Sequence, residues 1–291
     1  MTGWTSLPSS TEPRPFAERQ ALIESWLDSL ARPYSAERSV KCAPARWAHQ
    51  RRLYSVPLEG VDADDLAVRL EGLLESLALA PGDRRAFVAG LSTQTMAHYL
   101  HLGLEAATTK VYWEAPLPDK ALPGRRFPLY QAWKWRPGVD ASVSDYVLLE
   151  SAEAVRHAMA STLAAMPPLV GDVIEQLEVS HALARKPWPP LTVRIEERRQ
   201  GRDTGRDSLN LHLHPAEIRL GELAGLLLSL AREWRCTSRA QAIEWIAAHG
   251  DNPLSNLSLG FDAKGEPFVT FYHGVTLVSP TSTGALAAQR R

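Results

Sequence analysis

The spacing of apolar residues along this chain switches repeatedly between a helical and an extended period. Residues 17–31 carry Leu22, Ile23, Trp26, Leu27 and Leu30 at helical spacing. Extended runs follow at 35–42 and 48–58, bridged by APARW. The spacing then predicts an amphipathic helix over 63–79. Leu66, Leu70, Leu73, Leu74 and Leu77 share one face, and Asp62, Asp64 and Asp65 sit at the positive end. The tripeptide PGD at 81–83 is expected to end it. Extended chain is predicted at 86–92, 98–105 and 109–115, around WKW at 133–135, and over DYVLLES at 145–151. A helix at 152–166 stops at Pro167 and Pro168.

The same alternation continues. A helix is predicted at 170–177, with strands at 178–184 and 191–198 separated by RKPWPP. A charged loop, 197–207, leads into SLNLHLH at 208–214. A long helix over 217–235 turns Ile218, Leu223, Leu226, Leu227 and Leu230 inward. Ser238 with Gln241 three residues on forms a capping box for a further helix ending at Gly250. Residues 254–274 read as two strands joined through Ala-Lys-Gly, a hairpin signal.

Strands that come in hairpin-linked pairs are antiparallel neighbours, with helices packed on one face. Such a sheet must hide its edges. The expected fold is therefore α/β: a closed antiparallel β-barrel of about ten strands surrounded by helices. One domain is expected over 17–278, between a flexible arm at 1–16 and a flexible tail at 279–291.

Closure assigns each strand an inner and an outer face, because successive side chains point to opposite sides. In TTKVYWEA (108–115) the inner set is Lys110, Tyr112 and Glu114. Elsewhere it is Asn210, His212 and His214, then Thr270 and Tyr272, then Arg194 and Glu196. A small barrel normally fills with apolar side chains. One lined by Lys, Arg, His and Tyr suits a polar, anionic ligand. A second reading is a non-catalytic or metal-dependent barrel. In it, His212 and His214 share an ion with His181 or His273.

Charge narrows the partners. Lys and Arg number 32 against 33 acids, so no basic surplus favours nucleic acid. Cys42 and Cys236 are too few and too distant in sequence for a disulfide framework, as in a reducing cytoplasm. The longest strongly apolar run, 223–231, is too short to span a bilayer. A soluble, cytoplasmic, monomeric protein with no membrane partner is expected.

The repeated helix–strand–strand–helix units with K-x-Y on one strand resemble the αββα-barrel prenyltransferases, and most closely the cyanobactin-type peptide enzymes among them. AERSVKCA (36–43) is similar to their first strand, and the resemblance makes Glu37 the catalytic carboxylate. HQRRLYSV (49–56) resembles the paired strand with a diphosphate-binding arginine, here Arg52 or its neighbour Arg51. LGLEAATTKVYWEA (102–115) resembles their glycine-containing hairpin.

The implied donor is an isoprenoid diphosphate, dimethylallyl or geranyl, and the implied acceptor is a peptide or a small aromatic molecule. Arg52, Lys110, Arg194 and His212 would hold the diphosphate, and Tyr112 and Tyr272 would shield the allyl cation. Mg2+ is implied with the diphosphate, with no ligand named. Glu114 would turn away from the anion or bind that Mg2+.

Overall fold

The computed structural model describes residues 14–93, 97–118 and 125–279. The proposed arm and tail therefore fall almost wholly outside the described residues, and Phe16 already begins the first helix. In chain order the elements are α1 (Phe16–Ser29), β1 (Tyr34–Ala43), β2 (Arg46–Ala48), β3 (Arg52–Pro57), α2 (Ala63–Ser76), α3 (Pro81–Thr93), β4 (Tyr99–Glu105), β5 (Thr108–Glu114), β6 (Pro128–Arg136), β7 (Val139–Leu148), α4 (Ala152–Ala164) and α5 (Pro168–Leu183). There follow β8 (Thr192–Arg199), β9 (Arg202–Asp203), β10 (Asp207–His212), α6 (Ala224–Glu233), α7 (Arg239–His249), β11 (Leu254–Phe261) and β12 (Pro267–Val278).

Ten of the strands close on themselves in the order β10-β11-β12-β1-β3-β4-β5-β6-β7-β8, and β8 returns to β10. Every pairing is antiparallel. The expected closed barrel is thus the fold observed. Closure leaves no long free edge, and the short β2 and β9 pair at the margins.

Apolar strand positions face outward, under helices, in two groups. Leu100, Leu102, Leu104, Val111 and Trp113 pack against Ile23, Leu27, Leu70, Leu74 and Phe87 of α1, α2 and α3. Leu209, Leu211, Leu257, Leu259, Val269 and Phe271 pack against Val155, Val173, Leu177, Leu227 and Leu230 of α4, α5 and α6. These side chains are almost wholly buried, and each contributes about 1.5–3 kcal/mol by leaving water. With the apolar faces spent on the helices, the lumen receives the polar alternates.

Three local expectations need correcting. Residues 86–92 are helical, because Pro81 and Asp83 open α3 rather than end α2; proline suits the first helical position and an acid suits the first turn. Residues 178–183 continue α5, since Val173, Ile174, Leu177, Ser180 and His181 keep one buried helical face. The helix over 217–235 begins only at Ala224. Glu217 is left-handed, with φ of 51°. The backbone after it bonds to the chain at 250–254 instead: Leu220 N–H donates to Asn252 O at 2.9 Å, and Leu254 N–H to Ile218 O at 2.7 Å.

Closure at β10–β11 depends on one glycine. Gly260 lies opposite Ser208 with φ of 133°, and a Cβ there would sit 2.3 Å from Asp207 O. Gly260→Ala is expected to destabilise the fold by about 1–3 kcal/mol or more, measured by denaturant unfolding. An unchanged midpoint would contradict this account of the seam.

Candidate functional site

Strand register stacks the inward side chains in layers. Glu37 of β1 lies opposite Leu53, and Ser35 opposite Ser55. His101 lies opposite Ser55 and Tyr112, and Gly103 opposite Lys110. Glu114 lies opposite Tyr130, which faces Tyr146. Asn256 lies between His212 and Tyr272. All of these except Gly103 and Lys110 line a lumenal cavity of about 320 Å³.

The cavity wall is aromatic. Tyr112 stacks on His101 at 4.9 Å between ring centroids and on Tyr146 at 6.2 Å. Tyr130 meets Tyr146 edge-on at 5.6 Å and stacks on His212 at 6.1 Å. Burial pushes the phenols of Tyr112, Tyr130, Tyr146 and Tyr272 up, so they stay neutral. Burial takes His212 down to about 4, so it too is neutral near pH 7. Gly103 clears space beside Lys110, whose Cβ would lie 3.3 Å from an added methyl.

Glu37 is buried in this wall, and burial raises its carboxyl to about 8. A register shift between Leu254 and Asn256 leaves Ser255 out of the ladder, and its hydroxyl donates to Glu37 Oε1. Glu114 also faces the cavity, with Oε2 3.0 Å from His101 Nε2. It shares the inner face with Tyr112 and lies in the aromatic cavity rather than beside Arg51 and Lys110.

Beyond the tyrosines lies a cationic layer. Arg51 pairs with Glu105 at 2.8 Å and donates to Ser39 Oγ at 2.9 Å, and Lys110 pairs with Glu105 at 2.5 Å. Lys134 stands opposite Lys110. Lys41 lies 3.9 Å over the Phe268 ring, and Arg206 reaches Glu197 at 3.6 Å. Five positive groups thus share two carboxylates. Burial would raise Glu105, but Arg51, Lys110 and Lys134 hold it well below the usual range. Burial, with Arg51 and Arg206 adding to it, takes Lys41 down to about 7. Burial, with Lys110 and Arg206, takes Lys134 to about 8. Burial is the larger cause of both depressions, and the neighbouring cations add to it. Tyr272 and Tyr146 line the cavity and sense this layer and its carboxylates, which places them between the two.

The structure therefore brings together Glu37, Tyr112, Tyr272, Lys110 and His212 in one lumen, though His212 lies among the aromatics rather than with the cations. Two expected members are elsewhere. Arg52 lies opposite Arg38 and Leu104, on the outer parity of β3, and Arg51 takes the inner place. Arg194 is opposite Leu209 on the outer face, paired with Asp207 at 2.9 Å and about half exposed. Glu196 is outward too, bound by Arg126 at 2.7 Å. On β8 the inner face carries Ile195 and Glu197, and the outer face carries the exposed Arg194, Glu196 and Arg198.

The alternation signal that found Lys110 also marks Lys134, which alternates with Trp133 and Trp135 in β6, and Tyr146 in β7. Arg206 lies within the charged loop 197–207 and carries no such signal.

The metal reading fails on placement. His181 Nδ1 is 3.0 Å from Leu177 O within α5, and His273 lies on the outer wall 3.0 Å from Asn252. Among the described residues no group of three or more His, Cys, Asp or Glu is arranged to hold a metal ion. Mg2+ takes one or two carboxylates beside phosphate oxygens. Glu105 is committed to Arg51 and Lys110 and is not free to take that ion. No helix is long and apolar enough to cross a membrane among the described residues.

No protein-family model matches the chain, and no curated protein matches it. Solved structures do. A 6-dimethylallyl tryptophan synthase is 16% identical with a TM-score of 0.54, covering 82% of this chain and 80% of its own. The 6-dimethylallyltryptophan synthase of Micromonospora olivasterospora, solved with DMASPP and Trp, is 14% identical with a TM-score of 0.53, covering 82% and 81%. The binary complex of PriB with product diphosphate is 15% identical with a TM-score of 0.51, covering 82% and 79%. The chain thus has the prenyltransferase-barrel fold.

Glu37 gives a stability test. Its folded value, about 8, lies above an unfolded value near 4.3. Its contribution is complete below the unfolded value and is lost as pH rises through the folded one. From pH 5 to pH 9 the wild type should lose stability that Glu37→Gln keeps, a difference on the order of 3 kcal/mol in denaturant unfolding. Parallel profiles for the two proteins would refute burial of the charge.

Proposed function

We propose that this protein is a prenyltransferase, moving an allylic group from dimethylallyl or geranyl diphosphate to an electron-rich peptide or small aromatic acceptor. One observation carries the reading: a single lumen separates a cationic layer from a carboxylate, with tyrosines between. The fold shared with dimethylallyl tryptophan synthases supports it.

The chemistry follows that division. The C–O bond of the donor breaks, and its electron pair leaves with the diphosphate. That anion carries roughly three negative charges, which Arg51, Lys110, Lys134, Lys41 and Arg206 stabilise as they develop. The surplus of positive charge over Glu105 and Glu197 supplies the counter-charge without Mg2+, so activity should survive chelation of divalent ions. The faces of Tyr112, Tyr146 and Tyr272 screen the allyl cation from water. The acceptor's π electrons form the new bond. The proton displaced from that carbon passes to the Glu37 carboxylate, which Ser255 orients.

Glu37→Gln should cut turnover by about 10²–10⁴ and leave donor affinity nearly unchanged. In the wild type, kcat/KM should rise with pH towards about 8 as Glu37 ionises. Loss of charge from Lys41 and Lys134 over the same interval should limit it from above. Glu37→Gln should lose only the rising limb. Lys110→Ala should cost one to two decades in kcat/KM, the scale of about 1.5–3 kcal/mol for a charge-assisted bond, while Arg194→Ala leaves it intact. Full turnover by Lys110→Ala at limiting donor would sink the assignment.

A further inference from the structure

Displacing Arg52 from the lumen leaves a question about what it does outside. The two helix groups part over β1 and β3, with α1 on one side and α7 on the other. At that seam lies a second cavity of about 320 Å³, lined by Arg38, Arg52, His49, His249, His273 and Trp245, among others. Arg38 and Arg52 are direct cross-strand partners. Like charges directly opposite on one sheet face destabilise the pair. Elsewhere on the outer wall arginines meet acids, as Arg194 meets Asp207 and Arg126 meets Glu196.

Among the described residues neither Arg38 nor Arg52 makes an ion pair. Arg52 Nη1 makes a 3.4 Å contact with Arg51 O. Glu24, a carboxylate whose charge reaches Arg52, accepts from Tyr54 at 2.7 Å and Gln20 at 2.9 Å. Every titratable group lining the cavity is therefore a cation or an imidazole. The surroundings hold these groups in place. A register shift between Ala36 and Arg38 sets Arg38 opposite His273. Trp245 packs edge-on against His273 at 5.3 Å and against His249 at 5.0 Å. The positive field is felt locally: burial lowers His249 and His273, and Arg38 and Arg52 lower them further.

We propose that this seam pocket is a second anion site, separate from the lumen, in which Arg38 and Arg52 clamp a single oxyanion, a phosphate or a carboxylate. Two guanidinium groups on cross-strand neighbours lining one cavity offer N–H donors suited to such a group. His49 and His249 add imidazole nitrogens at the rim. The inference does not depend on the reaction proposed for the lumen.

Imidazole NMR of the full chain, at fixed pH and ionic strength, tests it with inorganic phosphate and acetate as probes. His249→Asn assigns the reporter signal. In the wild type and in Lys110→Ala, the His249 and His49 signals should shift saturably with at least one probe. In Arg38→Ala/Arg52→Ala the apparent affinity should fall by about ten-fold or more. Arg38 is exposed, so Arg38→Ala alone provides a folded variant that should also weaken binding. Saturation with phosphate alone identifies a phosphate site, with acetate alone a carboxylate site, and with both a general oxyanion site. Absence of saturation with either probe, or a double variant that responds like the wild type, overturns the proposal.

Discussion

Crowding of like charge inside the barrel is the constraint on which the rest of the structure depends. Arg51, Lys110, Lys134, Lys41 and Arg206 share one layer of the lumen, where Glu105 and Glu197 oppose them, while Glu37 and Glu114 lie in the aromatic cavity. Two like charges about 4 Å apart repel by about 4 kcal/mol at an effective dielectric near 20. A chain tolerates this only where the surrounding frame is stiff and strongly stabilised. The closed sheet and the two outer helix-packed cores supply that frame. Burial and neighbouring cations together depress Lys41 and Lys134, and the proposed diphosphate would supply the missing counter-charge.

The barrel solves two problems with one geometry. Outward alternates such as Leu100, Leu102 and Leu104 meet helices, so the inner alternates are released from core packing. Closure then brings inner residues from strands far apart in sequence to the same depth. Glu37 receives its hydroxyl partner from Ser255 across the β12 strand. Neutral phenols and a neutral His212 separate that carboxylate from the cations. A charged group among them would pair with Glu37 or with the cations, and the division would be lost.

Strand alternation made much of this legible. Lys110, Tyr112, His212 and Tyr272 were placed on the inner face because long apolar alternates left no doubt about the outer one. The paired-strand order led to the closed barrel. Arg52 and Arg194 escaped because short polar strands do not declare their parity. In β8 the residues that face inward include Ile195, so polarity alone points the wrong way. Arg51 precedes β3, where the ladder that would fix its direction has not begun. Residues 81–93 misled for a different reason: Pro81 and Asp83 serve equally as a stop for one helix and a start for the next. The register shifts beside Glu37 and His273 come from tertiary pairing and leave no mark in residue spacing.

The most direct measurement is transfer itself. The full chain would be incubated with dimethylallyl or geranyl diphosphate and a pool of tryptophan-containing peptides and small aromatics, with diphosphate release and acceptor mass followed together. The account predicts that an acceptor gains one isoprenoid unit for each diphosphate released, and that this continues in the presence of a divalent-ion chelator. Tight diphosphate binding in the lumen with no transfer to any acceptor, or no diphosphate binding there at all, would contradict it.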